Sequence, residues 1–351
     1  MRRLVVLALV VAGVLVATAA PASAHGVGGL QPTNYTTTVD TLRPDVPGIT
    51  VTTVDLGTRI QLTNTTPHDV VVLGYDGEPY LRVGPRGVLR NVRSPATYLN
   101  RSLDLANTAP PPAIADPTAP PKWEKIGDGQ TVRWHDHDAH YMGTDDPPVV
   151  QHDRSRRHLI SRFTLKMRWN GEEVVARGRL LWVPPPSPWP YVGVAVLLAA
   201  VVAWGSRTRV WGKVLAAALA VLVACELLHV VGLYGASSDS FAEKAFESLY
   251  STGGILLAVL ALWWMWRRGA ESAVPLVLLA SMFLFIAGGL ADVTSLSNSQ
   301  LPTTFGAGFA RVLVTVTLGV GLGTAIAAAW RLVPTRHSPP RTHPRETPAT
   351  G

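Results

Sequence analysis

The amino-acid sequence predicts two unlike halves: an all-β sandwich on the outside of a membrane, then an all-α bundle of five transmembrane helices. Residues 26–186 are polar and rich in Thr, Pro, Asp and Arg, with short apolar runs that alternate at period two. Residues 189–330 are dominated by Val, Leu and Ala. Alternation at period two marks a half-buried strand, and apolar runs of about 20 residues match the thickness of a bilayer core. A third observation places the first half: residues 1–24 have the make-up of a secretory signal peptide.

In that leader Arg2 and Arg3 form a basic start, residues 4–20 an apolar core, and Ala22-Ser23-Ala24 a small-residue cleavage site. Cleavage there starts the mature chain at His25. The β domain, 25–187, contains Ile49–Val54 and Arg59–Asn64, two alternating segments around a turn at Leu56-Gly57-Thr58. Residues 69–73 continue as a buried strand, and Gly74-Tyr75-Asp76-Gly77 supplies a turn. The proline-rich stretch 109–121 reads as a surface loop, and 131–137 as a strand. Residues 163–169 and 174–183 flank Asn170-Gly171, a hairpin signal because both turn positions need positive φ. Short strands at this spacing point to a sandwich of immunoglobulin or cupredoxin type. Pro184, Pro185, Pro186 and Pro188 form a stiff collar before the bundle.

The bundle, 188–330, divides into five candidate spans at 189–205, 211–234, 252–266, 273–292 and 308–330. The tail, 331–351, is rich in Pro, Arg and Thr and is expected to be disordered. Alternation from an exported start puts Arg207, Arg209, Lys213, Arg267, Arg268, Arg331, Arg336, Arg341 and Arg345 inside. The two outward loops, 235–251 and 293–307, carry Asp239, Glu243 and Glu247 against Lys244. This obeys the positive-inside bias. The expected location is therefore the cell membrane, multi-pass, with the β domain extracytoplasmic and the C-terminus cytoplasmic. The formal charge of +7 gathers in the inner loops and tail, where it sets orientation, so no nucleic-acid partner is expected. Cys225 is the single cysteine, which rules out an intrachain disulfide.

Ligand-type side chains are densest in Trp134-His135-Asp136-His137-Asp138-Ala139-His140, with Met142 two residues on. On a strand His135 and His137 project from one face. A processed His25 offers an α-amine and an imidazole that close a chelate, so the three residues together make a nitrogen-rich site suited to Cu(II). His140, Asp138 and Met142 can add a ligand or support one, Met142 being a soft partner for Cu(I). Zinc also fits imidazole ligands. Against this stands a solvated polar loop in which the histidines do nothing together.

The terminal histidine and the 135–140 cluster resemble two families of exported copper sites. In CopC-type carriers, small β-sandwiches often fused to or partnered with CopD-type membrane proteins, a terminal histidine works with an Asp-x-His pair, which Asp138-Ala139-His140 matches in form. In the cupredoxin domain of the particulate methane monooxygenase B subunit it joins a His-x-His pair, matched by His135-Asp136-His137. The resemblance covers His25, the cluster and the sandwich-then-membrane order. The two families imply different partners for His25, and both remain open here.

In the second span Cys225, Glu226 and His229 lie three and four residues apart and share one helix side. Asp292 ends the fourth span and Arg311 begins the fifth. Ionisable groups at this depth cost several kcal/mol unless paired. Cys225, Glu226, His229 and Asp292 form either a metal-transfer or permeation site, or a structural ion pair in which Arg311 neutralises Asp292 or Glu226. No phosphate-binding glycine loop and no Gly-x-Ser-x-Gly elbow is present. The expected function is copper acquisition, delivery or resistance, with a metal ion, the lipid bilayer and an extracellular or periplasmic copper protein as partners. The alternatives are a copper-dependent oxidative enzyme with a histidine brace and a metal-free envelope scaffold or sensor.

Overall fold

The computed structural model describes residues 30–101 and 109–333. The leader, His25 and the tail after Val333 lie outside the described residues. Ten strands come first: β1 (Tyr35–Arg43), β2 (Ile49–Val54), β3 (Arg59–Asn64), β4 (Val70–Leu73), β5 (Pro79–Gly84), β6 (Gly87–Asn91), β7 (Trp123–Gly127), β8 (Thr131–His135), β9 (His158–Trp169) and β10 (Glu172–Trp182). They form an antiparallel seven-stranded sheet, β1-β10-β9-β4-β5-β6-β7, and a three-stranded sheet, β2-β3-β8. Ile60, Leu62, Val132 and Trp134 of the small sheet share one core with Val72, Leu81, Phe163 and Met167 of the large one. The arrangement is sandwich-like. The β9–β10 hairpin turns on Asn170 (φ 49°) and Gly171 (φ 86°), as that dipeptide requires.

One strand needs correction, and four others were missed. The third element of the small sheet ends at His135, not at 137, because the chain leaves β3 there. The threonine-rich β1 and the short β5, β6 and β7 were not legible as strands. Of the nine β1 residues only Thr37 is buried, so no alternating apolar face marks that strand.

Two short helices, α1 (Ala96–Leu99) and α2 (Pro148–His152), lie within the β domain. The second half contains α3 (Trp189–Gly205), α4 (Trp211–Ala236), α5 (Phe241–Glu247), α6 (Leu249–Arg268), α7 (Ala270–Leu284) and α8 (Ala307–Leu332). All five expected spans are helical, but three helices are long and apolar enough to cross a bilayer: Trp211–Ala236, Ala270–Ser297 and Ala307–Leu332. The last-but-one includes α7, a π-helical turn at Phe285–Leu290 and a 3-10 turn at Val293–Ser297. At 17 residues α3 is shorter, and α6 carries Ser251-Thr252-Gly253-Gly254 in its first turns and ends in Arg267 and Arg268. Five transmembrane helices are thus more than the described structure supports.

The most enclosed helix is α8, packed by α3, α4 and α7. Gly319 and Gly323 let α3 approach it: a Cβ on either would lie 2.5 or 2.6 Å from the carbonyl oxygen of Ala195 or Ala199. Small residues four apart allow such backbone contact between helices.

One end of the helical half meets the β domain. Buried Asp55 accepts from the backbone amide (2.9 Å) and hydroxyl (2.6 Å) of Ser238. Arg59 donates to Asp239 (2.7 Å) and Arg133 to the Ser238 carbonyl (3.0 Å). Thr33 and Gln300 exchange both backbone hydrogen bonds, and Ser299 N–H donates to Asn34. The opposite end is basic and aromatic. Arg331 sits 3.7 Å from the Trp211 ring, and Arg207 stacks on Trp204 and Trp330.

Candidate functional site

The β8 strand delivers His135 to the rim of the small sheet, and Asp136 folds the following residues back over it. The Asp136 carbonyl accepts from the amides of Ala139 and His140, while its carboxylate accepts from the Asp138 amide (3.1 Å) and the Trp134 indole (3.2 Å). A buried carboxylate that satisfies a turn in this way is an Asx-type anchor. The fold-back brings the His140 ring to 5.0 Å and the His137 ring to 5.4 Å from that of His135, centroid to centroid. His137 is therefore placed by the turn and not by strand alternation. Thr37 of β1 holds the turn from the other side through the Ala139 carbonyl (2.7 Å).

His135 has a fixed tautomer. Its Nδ1 stands 2.8 Å from the Thr58 carbonyl, which can only accept, so Nδ1 carries the proton. Burial holds the ring down at a pKa of about 4, with His140, His137 and Arg59 also opposing its charge. At neutral pH Nε2 is consequently a bare lone pair. It faces the Met142 sulfur at 3.3 Å, another electron-rich atom. The buried Nε2 of His137 has no hydrogen-bond partner among the described residues. Burial also lowers the pKa of His140 and raises that of Asp136. Two more imidazoles and a thioether thus lie around the His135 ring, the Met142 sulfur in contact with its Nε2 and the His137 Nε2 unpartnered.

Asp138 is exposed, and its amide contact with Asp136 is the only one recorded for it among the described residues. His25 lies outside them. No three His, Cys, Asp or Glu side chains among the described residues converge tightly enough to hold one ion as they stand; Met142 falls outside that set of residue types. Tyr75 was not anticipated. Its hydroxyl accepts from the His137 amide (3.0 Å) and donates to Asn100, and no local motif announces such a long-range contact. Thr58 and Arg59 were equally silent in the sequence, although Arg59 pairs with His135 across β3 and β8.

The ion pair expected for Arg311 is not formed. Arg311 donates instead to the carbonyls of Ser295, Asn298 and Ser299 at the end of the 3-10 turn. The partner of Asp292 is His229, whose Nε2 lies 3.2 Å from its Oδ2. Glu226, 1% exposed, has one carboxyl oxygen without a hydrogen-bond partner. It lies against Gly288 of the π-helical turn, where a Cβ would come within 2.4 Å of it. Cys225 is buried beside it.

Together the fold and these residues define an antiparallel β domain docked on a helical half of membrane-spanning character, with a histidine–methionine cluster near the junction. No protein-family model, curated protein or solved structure matches the chain.

Proposed function

We propose that the protein is a membrane copper-binding protein whose exported domain takes up copper as Cu(I) at His135, His137, His140 and Met142. The observation that carries this is the 3.3 Å approach of the His135 Nε2 lone pair to the Met142 sulfur. Two electron-rich atoms held face to face are stabilised by a cation between them, and a thioether beside imidazoles selects a soft one. A water or proton would serve a nitrogen, but thioether sulfur is a poor acceptor for either. Zinc remains a weaker fit for the same reason. His25 of a processed chain would add its amine and imidazole, and Asp138 a peripheral carboxylate, in the manner of the copper-handling families that the sequence resembles.

The membrane reading takes α3 and α6 as additional spans, five in all, with residues 1–24 removed as a signal peptide. The basic, aromatic end formed by Arg207, Arg331, Trp204, Trp211 and Trp330 supports a cytoplasmic placement opposite the β domain. In this orientation the protein handles copper outside the cell, in acquisition, delivery or resistance.

The test is a Cu(I) competition titration on the full-length protein in detergent, with a colorimetric chelator as competitor. M142L should weaken Cu(I) binding by roughly tenfold or more and leave zinc binding unchanged, and H135A should weaken both. Cu(I) affinity that survives both substitutions rules this site out. Adding one residue before His25 tests the terminal chelate separately.

A further inference from the structure

The helical half contains a second constellation that copper binding at the β domain does not use. Just beneath the junction lies a small cavity lined by Leu30, Pro32, His229, Asp292, Leu301 and Pro302 among others. Its volume, about 20 Å³, suffices for a water molecule, which needs roughly 10–15 Å³. The roof is made by Leu30–Pro32 and 301–303, fastened together by the Thr33–Gln300 bridge. The floor is the His229–Asp292 pair. One helical turn deeper, on the same side of α4, stands Glu226 with its unpartnered oxygen.

We propose that Asp292, His229 and Glu226 form a proton relay leading from this cavity into the bundle, with the Glu226 carboxylate as the inner acceptor. Each member fits its part. Asp292 and His229 share a hydrogen bond at the cavity wall, so a proton can pass between them without rearrangement. An imidazole can accept a proton at one ring nitrogen and release one from the other, ending neutral. The Glu226 carboxylate then becomes a carboxylic acid, and the cavity water that gave the proton is left as hydroxide, neutralised by bulk solvent. A buried carboxylate in a bilayer with an oxygen left without a hydrogen bond gains from such neutralisation.

Among the described residues no lysine or arginine pairs with Glu226, and the charged groups that act on it are His229 and Asp292 themselves. From α6 the contributing group is the Ser251 side chain, in contact with Glu226. From α8 the cavity receives Ala310 and Val314, while the Arg311 guanidinium is spent on backbone carbonyls. From α4 itself the neighbour is Cys225. Asp292 and His229 pair with each other, and the unpartnered Glu226 oxygen lies one helical turn further along α4. The π-helical turn supplies the glycine that makes room for the Glu226 carboxyl, and such turns recur at functional sites. The inference rests on the membrane reading of the helices and is independent of copper.

Infrared difference spectroscopy on the full-length protein in liposomes tests it. Acidification should produce a carboxylic-acid band that E226Q removes and that exchanges promptly in D2O. H229Q should retain the band but slow its exchange at least tenfold, and D292N should slow it too. A band that exchanges at the same rate in H229Q, or a spectrum unaltered by E226Q, overturns the relay. As a check that needs no variant, a hydrophobic carbodiimide should label Glu226 in the unmodified protein, and less at higher pH; no labelling also overturns it. If Cu(I) or zinc abolishes the band in an H135A background, the residues hold a metal and the relay is wrong. None of these outcomes depends on whether the β domain binds copper.

Discussion

Acidification should loosen the histidine cluster more than any other part of the β domain, and His135 sets the size of the effect. An exposed histidine titrates near 6.5, whereas burial holds His135 at about 4. Because the folded pKa is the lower one, the opened chain takes up the proton first. The stabilisation is complete above about pH 6.5 and is lost as the pH falls towards 4. At pH 4 the shift corresponds to roughly 150-fold in the opening equilibrium, or about 3 kcal/mol. Little of this is screened, since His135 is only 6% exposed. Hydrogen exchange of the peptide spanning 131–142, corrected for the intrinsic pH dependence of exchange, measures that opening directly. Protection should fall steeply between pH 6.5 and 4 in the metal-free protein. H135Q, whose amide can still donate to the Thr58 carbonyl, should be far less sensitive to acid. Parallel loss in the two proteins would refute the reasoning.

Two substitutions probe the framework on either side of the cluster. D55N keeps the shape of the side chain but removes the charge that receives both Ser238 donors; about 2 kcal/mol is at stake, and exchange of the 237–240 amides should rise more than tenfold. G178A would put a Cβ 2.2 Å from both the Phe163 ring and the Thr38 carbonyl, so thermal unfolding should show a loss of about 1–3 kcal/mol; an unchanged midpoint would contradict the packing described.

What the sequence showed depended on whether a feature was local. The hairpin at Asn170-Gly171 and the strands β2 and β3 were read directly, because turn chemistry and period-two alternation are written in consecutive residues. The helices likewise follow from long apolar runs. By contrast β1 has threonines where an apolar face would be, and its place beside β10 is set by long-range pairing together with Val39 and Leu42 on the core and the Thr37 bond to Ala139. The histidine cluster was visible as composition, but its geometry was misassigned: a continued strand was expected where Asp136 makes a turn. That acid was legible as a turn former and was overlooked among ligand-type residues. Arg311 failed for another reason. Opposite charge suggests a pair, yet the carbonyls at the end of the 3-10 turn also need donors, and they lie closer in the chain.

The segment from Asp55 to Arg59 ties these observations together. Asp55 and Leu56 both take positive φ, at 55° and 58°, and Gly57 follows at 87°, so three successive residues sit in a region that ordinary side chains avoid. Such backbone persists when its surroundings hold it at several points, and here the holds face two ways. Asp55 and Arg59 grip Ser238 and Asp239 of the helical half, while the Thr58 carbonyl between them fixes the tautomer of His135. A shift of His135 by a fraction of an ångström would therefore act on the clamp through Thr58, one peptide unit from Arg59 and three from Asp55. A flexible linker would dissipate that shift, and a single salt bridge could transmit little of it through water. The strained turn thus holds the histidine cluster on one side and the helical half on the other.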